Sequence, residues 1–323
     1  MLAAQYETAG PRAGEIRIVE LPRPSPGPGE VLVRVLTSGV NPTDVRSREG
    51  RTYDPGHERV VPHHDGAGEI VTVGAGVPET RIGERVWLWL AQWRRAQGTA
   101  AQWIALPAAQ AVTLPAGASF ELGAGLGIPA MTAHRCLFAD GPIAGRTLLV
   151  AGGAGAVGHA AIELGRWGGA RVAATVSSAE KGRIAAAAGA ALVVDYTSAD
   201  AAGALAAWAP EGIERVIEVA LGANAALDGE VLAHGGAIIS YGAPDRPVEV
   251  PRALVFRNAA VRFVLVYTMG ETARHHAVAE ITRALEQDAL TELPAVHFSL
   301  EAIDDAHEAV RSHVLGKVLV DIP

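Results

Sequence analysis

Residues Leu148 to Gly158 read L-L-V-A-G-G-A-G-A-V-G: an apolar run drops into Gly153-x-Gly155-x-x-Gly158 and then into a helical pattern. The chemistry this spacing supports is binding of a dinucleotide pyrophosphate. Gly153 permits a tight turn, Gly155 lets backbone approach the phosphates, and Gly158 lets the next helix lie close on the strand. Ala156 and Val157 open that helix, whose free N–H groups and partial positive charge face the anion. In a chain with 37 glycines the triplet alone is weak evidence. The strand before it, the helix pattern of Val157 to Trp167 and a second strand at Arg171 to Val176 give it weight.

Where that second strand ends, an NAD-binding unit usually places an acidic residue on the ribose 2′-hydroxyl. Here Ser177 and Ser178 stand instead, followed by Lys181 and Arg183. Hydroxyl donors and cations suit a 2′-phosphate that a carboxylate would repel, so NADPH is the expected cofactor. The plainer alternative is that Ser177 caps a helix with a basic first turn.

The remaining composition narrows the class. A formal charge of −8 and a pI near 5.8 argue against a nucleic-acid or anionic-membrane surface. A single cysteine, Cys136, excludes an intramolecular disulfide and a multi-cysteine zinc site, and it reads as buried filler in a helix over Ala130 to Phe138. The first residues lack a secretory signal, and the uncharged stretch from Gln97 to Phe120 is broken by Pro107 and Pro115. A soluble, cytoplasmic protein is expected.

The elements that must position these residues fall into three stretches. The first 120 residues are β-rich, with strands at Val31 to Leu36, Glu69 to Val73 and Arg85 to Leu90 and an extended proline-rich loop from Pro22 to Pro28. From about Gly123 strands alternate with helices. After the two strands already named come Ala191 to Asp195, Glu214 to Val219, Ala237 to Tyr241 and Val261 to Tyr267, which together describe an α/β doubly wound parallel sheet. The tail predicts a helix over Glu271 to Gln287, a second from Glu301 capped by Ser299, and a last strand, Lys317 to Asp321, returning to the first domain.

This order and several strings resemble the medium-chain dehydrogenase/reductase superfamily, most nearly its zinc-free NADPH:quinone oxidoreductase branch. The strings are G-V-N-P-T-D at 39 to 44, H-H-D-G-A-G-E-I-V at 63 to 71, G-I-P-A-M-T-A-H at 127 to 134, the glycine turn, and T-V-S-S-A-E-K at 175 to 181. The resemblance implies a GroES-like catalytic domain from residues 1–122 and 268–323 and a Rossmann cofactor domain from residues 123–267. It places Asn41 and Thr132 beside the nicotinamide, and Ser177, Lys181 and Tyr196 on the 2′-phosphate. Tyr241 and Gly242 sit at the carboxyl end of a parallel strand, where an open sheet receives its ligand.

Zinc-dependent relatives carry a cysteine where this chain has Asn41; His64 remains, and no other thiol completes a three-ligand set. No metal is expected. His57, His63 and His64, with Glu58 and Asp65, read as a polar loop at a cleft rim, and His275 and His276 as a solvated helix face. Trp89 and Trp93 are candidates for lining the substrate cleft, while Trp87 suits a strand core.

The expected reaction is hydride transfer from NADPH to a quinone or other conjugated carbonyl acceptor held between the domains. Asn41, Arg46, Tyr53 and His64 are the candidates for hydrogen-bonding the developing oxyanion. The alternatives are an alkenal or enoyl reductase acting on a carbon–carbon double bond, and a non-catalytic NADPH-binding protein like some crystallins. The resemblance also implies a homodimer joined through the edge strand of the cofactor sheet.

Overall fold

The computed structural model describes residues 1–52, 56–243 and 247–323, so Tyr53 lies outside the described residues. The chain divides into two compact units, residues 1–128 with 292–323 and residues 129–291.

The first unit is organised round one long strand, Glu30–Val40. Its β-branched residues pack inward, with Val31, Val33 and Val35 buried beside Val86, Ile104 and Val320. Burying each such side chain stabilises the fold by about 1.5–3 kcal/mol. The strand pairs antiparallel with Asp65–Val73 on one side, and with Trp103–Pro107 and Lys317–Asp321 on the other parts of its length. Ala295–Ser299, Arg85–Leu88 and Ala111–Thr113 complete a seven-stranded sheet, and a smaller one joins Arg17–Glu20, Leu2–Glu7 and Arg59–Val60. The C-terminal strand thus returns to the first unit, as its sequence predicts.

The second unit is a parallel sheet. From one edge to the other it runs Leu192–Asp195, Arg171–Val176, Thr147–Ala151, Ile213–Glu218, Leu232–Ser240 and Ala260–Phe263, every pairing parallel. In chain order this is 3-2-1-4-5-6, the doubly wound dinucleotide arrangement, in which the strand order reverses between Thr147–Ala151 and Ile213–Glu218. The helix Ala156–Trp167 follows the glycine turn, burying Ala160, Ala161 and Leu164. Cys136 is fully buried and its thiol is pushed up to about 12 by that burial, as expected of filler.

Several details depart from expectation. The helix preceding the cofactor sheet spans Phe120–Phe138, longer than Ala130 to Phe138, and the division between units falls inside it. The second division lies at residue 291 rather than 267: helix Glu271–Glu286 buries Ala277, Ile281, Ala284 and Leu285 within the parallel-sheet unit. Ser299 makes no side-chain cap; a 3₁₀ turn, Leu300–Ala302, intervenes before the helix Ile303–Arg311. His63, His64 and Asp65 are fully buried rather than on a rim, because they lead into a central strand. Trp89 is likewise interior, its indole N–H donating to the Ala109 carbonyl at 3.2 Å. Among the described residues no helix is long and apolar enough to cross a membrane.

Candidate active site

Strand register brings charge to the end of Glu30–Val40. Gly39 lies opposite Asp65 on one neighbour and Val40 opposite Val318 on the other, so Asn41 emerges between Asp65 and Lys317. Both neighbours reach its side chain. The Asn41 amide N–H donates to Asp65 Oδ2 at 2.7 Å, and the Lys317 ammonium donates to Asn41 Oδ1 at 2.9 Å. Lys317 also lies 3.8 Å from Asp65 Oδ2 and donates to the Val40 carbonyl. The amide is therefore fixed in plane and in orientation. Among the described residues its second N–H has no acceptor.

The surrounding groups are dry. Asp65 takes a further bond from the Ile128 N–H at 2.7 Å, a contact that needs Gly127, since a Cβ there would stand 2.2 Å from the Asp65 carboxylate. Burial pushes Asp65 up to about 6, against the pull of Lys317, and lowers the ammonium's own pKa against the pull of Asp65. Asp44 closes the first turn of helix Pro42–Arg48 by accepting the Asn41 backbone N–H at 2.7 Å. Burial, and then the Asp65 charge, push Asp44 up to about 8, while burial alone holds His64, 3.9 Å away, at about 3. Burial thus works against the charged forms of Asp44 and His64, while Lys317 and Asp65 stand close enough to offset each other's charge.

Of the four residues expected to serve the oxyanion, the structure brings together Asn41 and His64. Arg46 is exposed on the same short helix, and Tyr53 falls outside the described residues. Lys317 and Asp44 escaped sequence reasoning, and Asp65 was read only as part of a rim loop. The signal was present for Asp44 alone, at the capping-box distance from Asn41. A further buried group stands nearby in the same unit: His63, at a left-handed φ of 79°, shares hydrogen bonds with Ser38 at 2.8 Å and with His307 at 2.9 Å.

This donor set does not fit a zinc ion. An ammonium bonded to Asn41 and close to Asp65 already supplies the positive charge, and an amide stands where a thiolate is needed.

In the second unit the glycine turn does fit a dinucleotide. Gly152 takes the left-handed conformation, φ 69°, so the tight turn sits one residue ahead of Gly153. Gly153 and Gly158 are packing glycines: their Cβ atoms would meet Ala174 Cβ at 2.7 Å and the Gly152 carbonyl at 2.2 Å. Gly155 is crowded by nothing closer than 3.4 Å. Ala156 and Val157 begin the helix, with Gly155 at the N-cap. At the end of Arg171–Val176, Ser178 rather than Ser177 caps the next helix, accepting the Lys181 N–H. That frees Ser177, whose hydroxyl takes the Lys181 ammonium at 2.9 Å, and Tyr196 follows the neighbouring strand with its ring half exposed. Thr132 is buried in helix Phe120–Phe138, and Tyr241 and Gly242 follow Leu232–Ser240, where the Ser240 hydroxyl donates to the Gly242 carbonyl.

Comparison with known proteins places both units. Residues 27–116 match the family model of the alcohol dehydrogenase GroES-like domain, and residues 156–284 match that of the zinc-binding dehydrogenase. Human quinone oxidoreductase is 26% identical over 319 residues, 98% of this chain and 95% of its own. The quinone oxidoreductase of Thermus thermophilus, solved alone and with NADPH, is 28% identical with a TM-score of 0.82, covering 99% of this chain and 100% of its own. An NAD-dependent alcohol dehydrogenase superposes with a TM-score of 0.89 at 26% identity, covering 100% of both chains. Two matched domains in the family's order, and relatives that span the whole length, make this chain a member of the medium-chain dehydrogenase/reductase superfamily, in its quinone oxidoreductase branch: an oxidoreductase served by a nicotinamide cofactor.

Proposed function

We propose that the protein is an NADPH-dependent reductase that delivers hydride to a quinone or another conjugated carbonyl compound, with no catalytic metal. The observation that carries this reading is the Lys317 ammonium bonded to the Asn41 amide where a metal's charge would otherwise be needed. An amide N–H held in place by an ammonium and a carboxylate can stabilise charge developing on an acceptor oxygen. It cannot polarise an isolated ketone as a dication does, so an intrinsically electrophilic acceptor fits best.

On the cofactor side, Lys181 and Ser177 hold the 2′-phosphate, with Ser178 and Tyr196 at its edge, and Gly155 to Gly158 receive the pyrophosphate. Thr132, Tyr241 and Gly242 contribute further contacts. Bound there, the reduced nicotinamide supplies hydride from C4. Asn41 orients the acceptor and donates to its oxygen as charge grows.

The test is an NADPH-oxidation screen across quinones, enals and enones, run with and without a strong chelator. Quinone or enone turnover indifferent to chelator is expected. Turnover confined to simple alcohols, or restored only by added zinc, would overturn the proposal, and activity on enals alone would move the chain to the alkenal reductases.

A further inference from the structure

Within the cofactor unit a second set of donors converges, unrelated to the nucleotide turn. His134, near the end of helix Phe120–Phe138, places Nε2 2.7 Å from Glu280 Oε2. From helix Glu271–Glu286, His276 approaches the other carboxylate oxygen at 3.4 Å, one helical turn before Glu280 and so on the same face. The donor atoms of all three residues lie within 4.8 Å of one another. The rings of His134 and His276 stand edge to face at 5.3 Å, and Phe138 packs on His134 at 4.7 Å, which holds the buried imidazole in place. From this geometry we infer a binding site for a first-row transition-metal ion, with His134, His276 and Glu280 as ligands and the remaining positions left to solvent.

Two imidazoles and one carboxylate form a borderline donor set that suits zinc, cobalt, nickel or copper rather than magnesium or calcium, which prefer oxygen. Access comes through His276, whose side chain is 57% exposed. The competing group is Arg283, 2.9 Å from Glu280 Oε1; it is also largely exposed and lies 5.8 Å from the Trp167 ring, a contact that remains to it when the carboxylate turns to an ion. A bound ion would cross-link two helices, one of which carries Thr132. Zinc found in the purified protein is then expected here and not at Asn41.

The experiment uses untagged, chelator-treated protein titrated with Co²⁺ alone at neutral pH, followed by visible absorption and thermal melting. One equivalent of Co²⁺ should produce the absorption of a low-coordinate site, displaced by Zn²⁺, and each ion should raise Tm. His276→Ala, at an exposed position, should weaken binding about 10- to 100-fold or more, as should Glu280→Gln, with NADPH-dependent turnover unchanged in both. No saturable Co²⁺ signal, or a signal indifferent to His276→Ala, would overturn the site. Because turnover is read separately, failure here leaves the metal-free reaction standing, and metal-dependent turnover in the His276→Ala protein would count against that reaction alone.

Discussion

Two strand ends carry the candidate chemistry, and they are built on opposite principles. At the end of Glu30–Val40, Asn41, Asp44, His64, Asp65 and Lys317 are all buried and are gathered from positions as much as 276 residues apart. At the end of Arg171–Val176 the paired groups, Ser177 and Lys181, are four residues apart and partly exposed. Buried charges depend on one another, since removing one leaves its partner without compensation. A surface cation depends on little, and what it contributes is realised only when a ligand arrives.

The largest effects should follow from breaking the buried cluster. Lys317→Met leaves Asp65 without its cation and should destabilise the fold by about 3–5 kcal/mol. Adding Asp65→Asn should recover much of that loss, because the two residues are coupled. Asn41→Ala removes the donor proposed to act in the transition state, and kcat should fall about 100-fold or more with NADPH affinity little changed. Measuring kcat together with denaturant stability separates the roles. An Asn41→Ala protein that melts early yet turns over normally per folded molecule would reduce Asn41 to a cap and a bridge.

At the other strand end the expected loss is smaller and confined to one ligand. Lys181→Ala removes a charge-assisted bond proposed for the 2′-phosphate, worth roughly 1.5–3 kcal/mol or about 10- to 100-fold in affinity. NADPH binding should weaken by that factor while NADH binding and thermal stability stay nearly constant. Equal losses for both cofactors would remove Lys181 from phosphate recognition.

The same contrast explains what was legible in the sequence. All six strands of the parallel sheet were readable, since apolar runs bounded by turns are local signals, and so were the glycine turn and the serine–lysine neighbourhood. The cluster at Asn41 was only half legible. His64 and Asn41 could be named from their strings, but Lys317 lies in an ordinary terminal strand, and its position across from Asn41 is a consequence of register that no local pattern encodes. His63 to Asp65 read as polar loop because three titratable residues in succession usually face water. Here each is bonded or shielded in the interior, which only tertiary structure can arrange. His276 was read as solvated, and it is; its approach to His134 joins helices more than a hundred residues apart.

Titration offers a milder test that reaches both units. Asp44 in the first and Asp228 in the second are each pushed up to about 8, by burial first and then by the neighbouring carboxylates Asp65 and Glu218. Each keeps its proton in the folded chain at pH values where the unfolded chain has lost it. Their stabilisation is therefore complete below about pH 4 and is lost as pH rises toward 8. His64 and His307, both held at about 3 by burial, act in the opposite sense, and they cost stability only below about pH 6.5. Between pH 6.5 and 8 the carboxyls dominate, each with a slope of at most about 1.4 kcal/mol per pH unit. Tm should fall over that interval, and Asp44→Asn or Asp228→Asn should each flatten the fall. A wild-type Tm that holds level from pH 6.5 to 8 would mean that both acids are already ionised.

The smallest effect on turnover, and the one that probes the outer edge of the parallel sheet, concerns assembly. Among the described residues Ala260–Phe263 is the last strand of that sheet, paired on one side only, and it is exposed along its length. Val261 and Phe263 are 43% and 62% exposed, with Val255, Phe256 and Leu265 also uncovered in the same unit. An unpaired edge with this apolar character is a template for another strand, and a second copy of the same edge related by two-fold symmetry would complete it. The strand ends at Phe263, short of the Tyr267 expected from sequence. Phe263→Lys is the probe: a charge on the edge should block pairing while leaving the Asn41 cluster and the glycine turn intact. Wild type should sediment as a dimer at micromolar concentration and Phe263→Lys as a monomer with kcat little changed. A monomeric wild type would refute the interface, and a Phe263→Lys protein that remains dimeric would place the contact elsewhere on the chain.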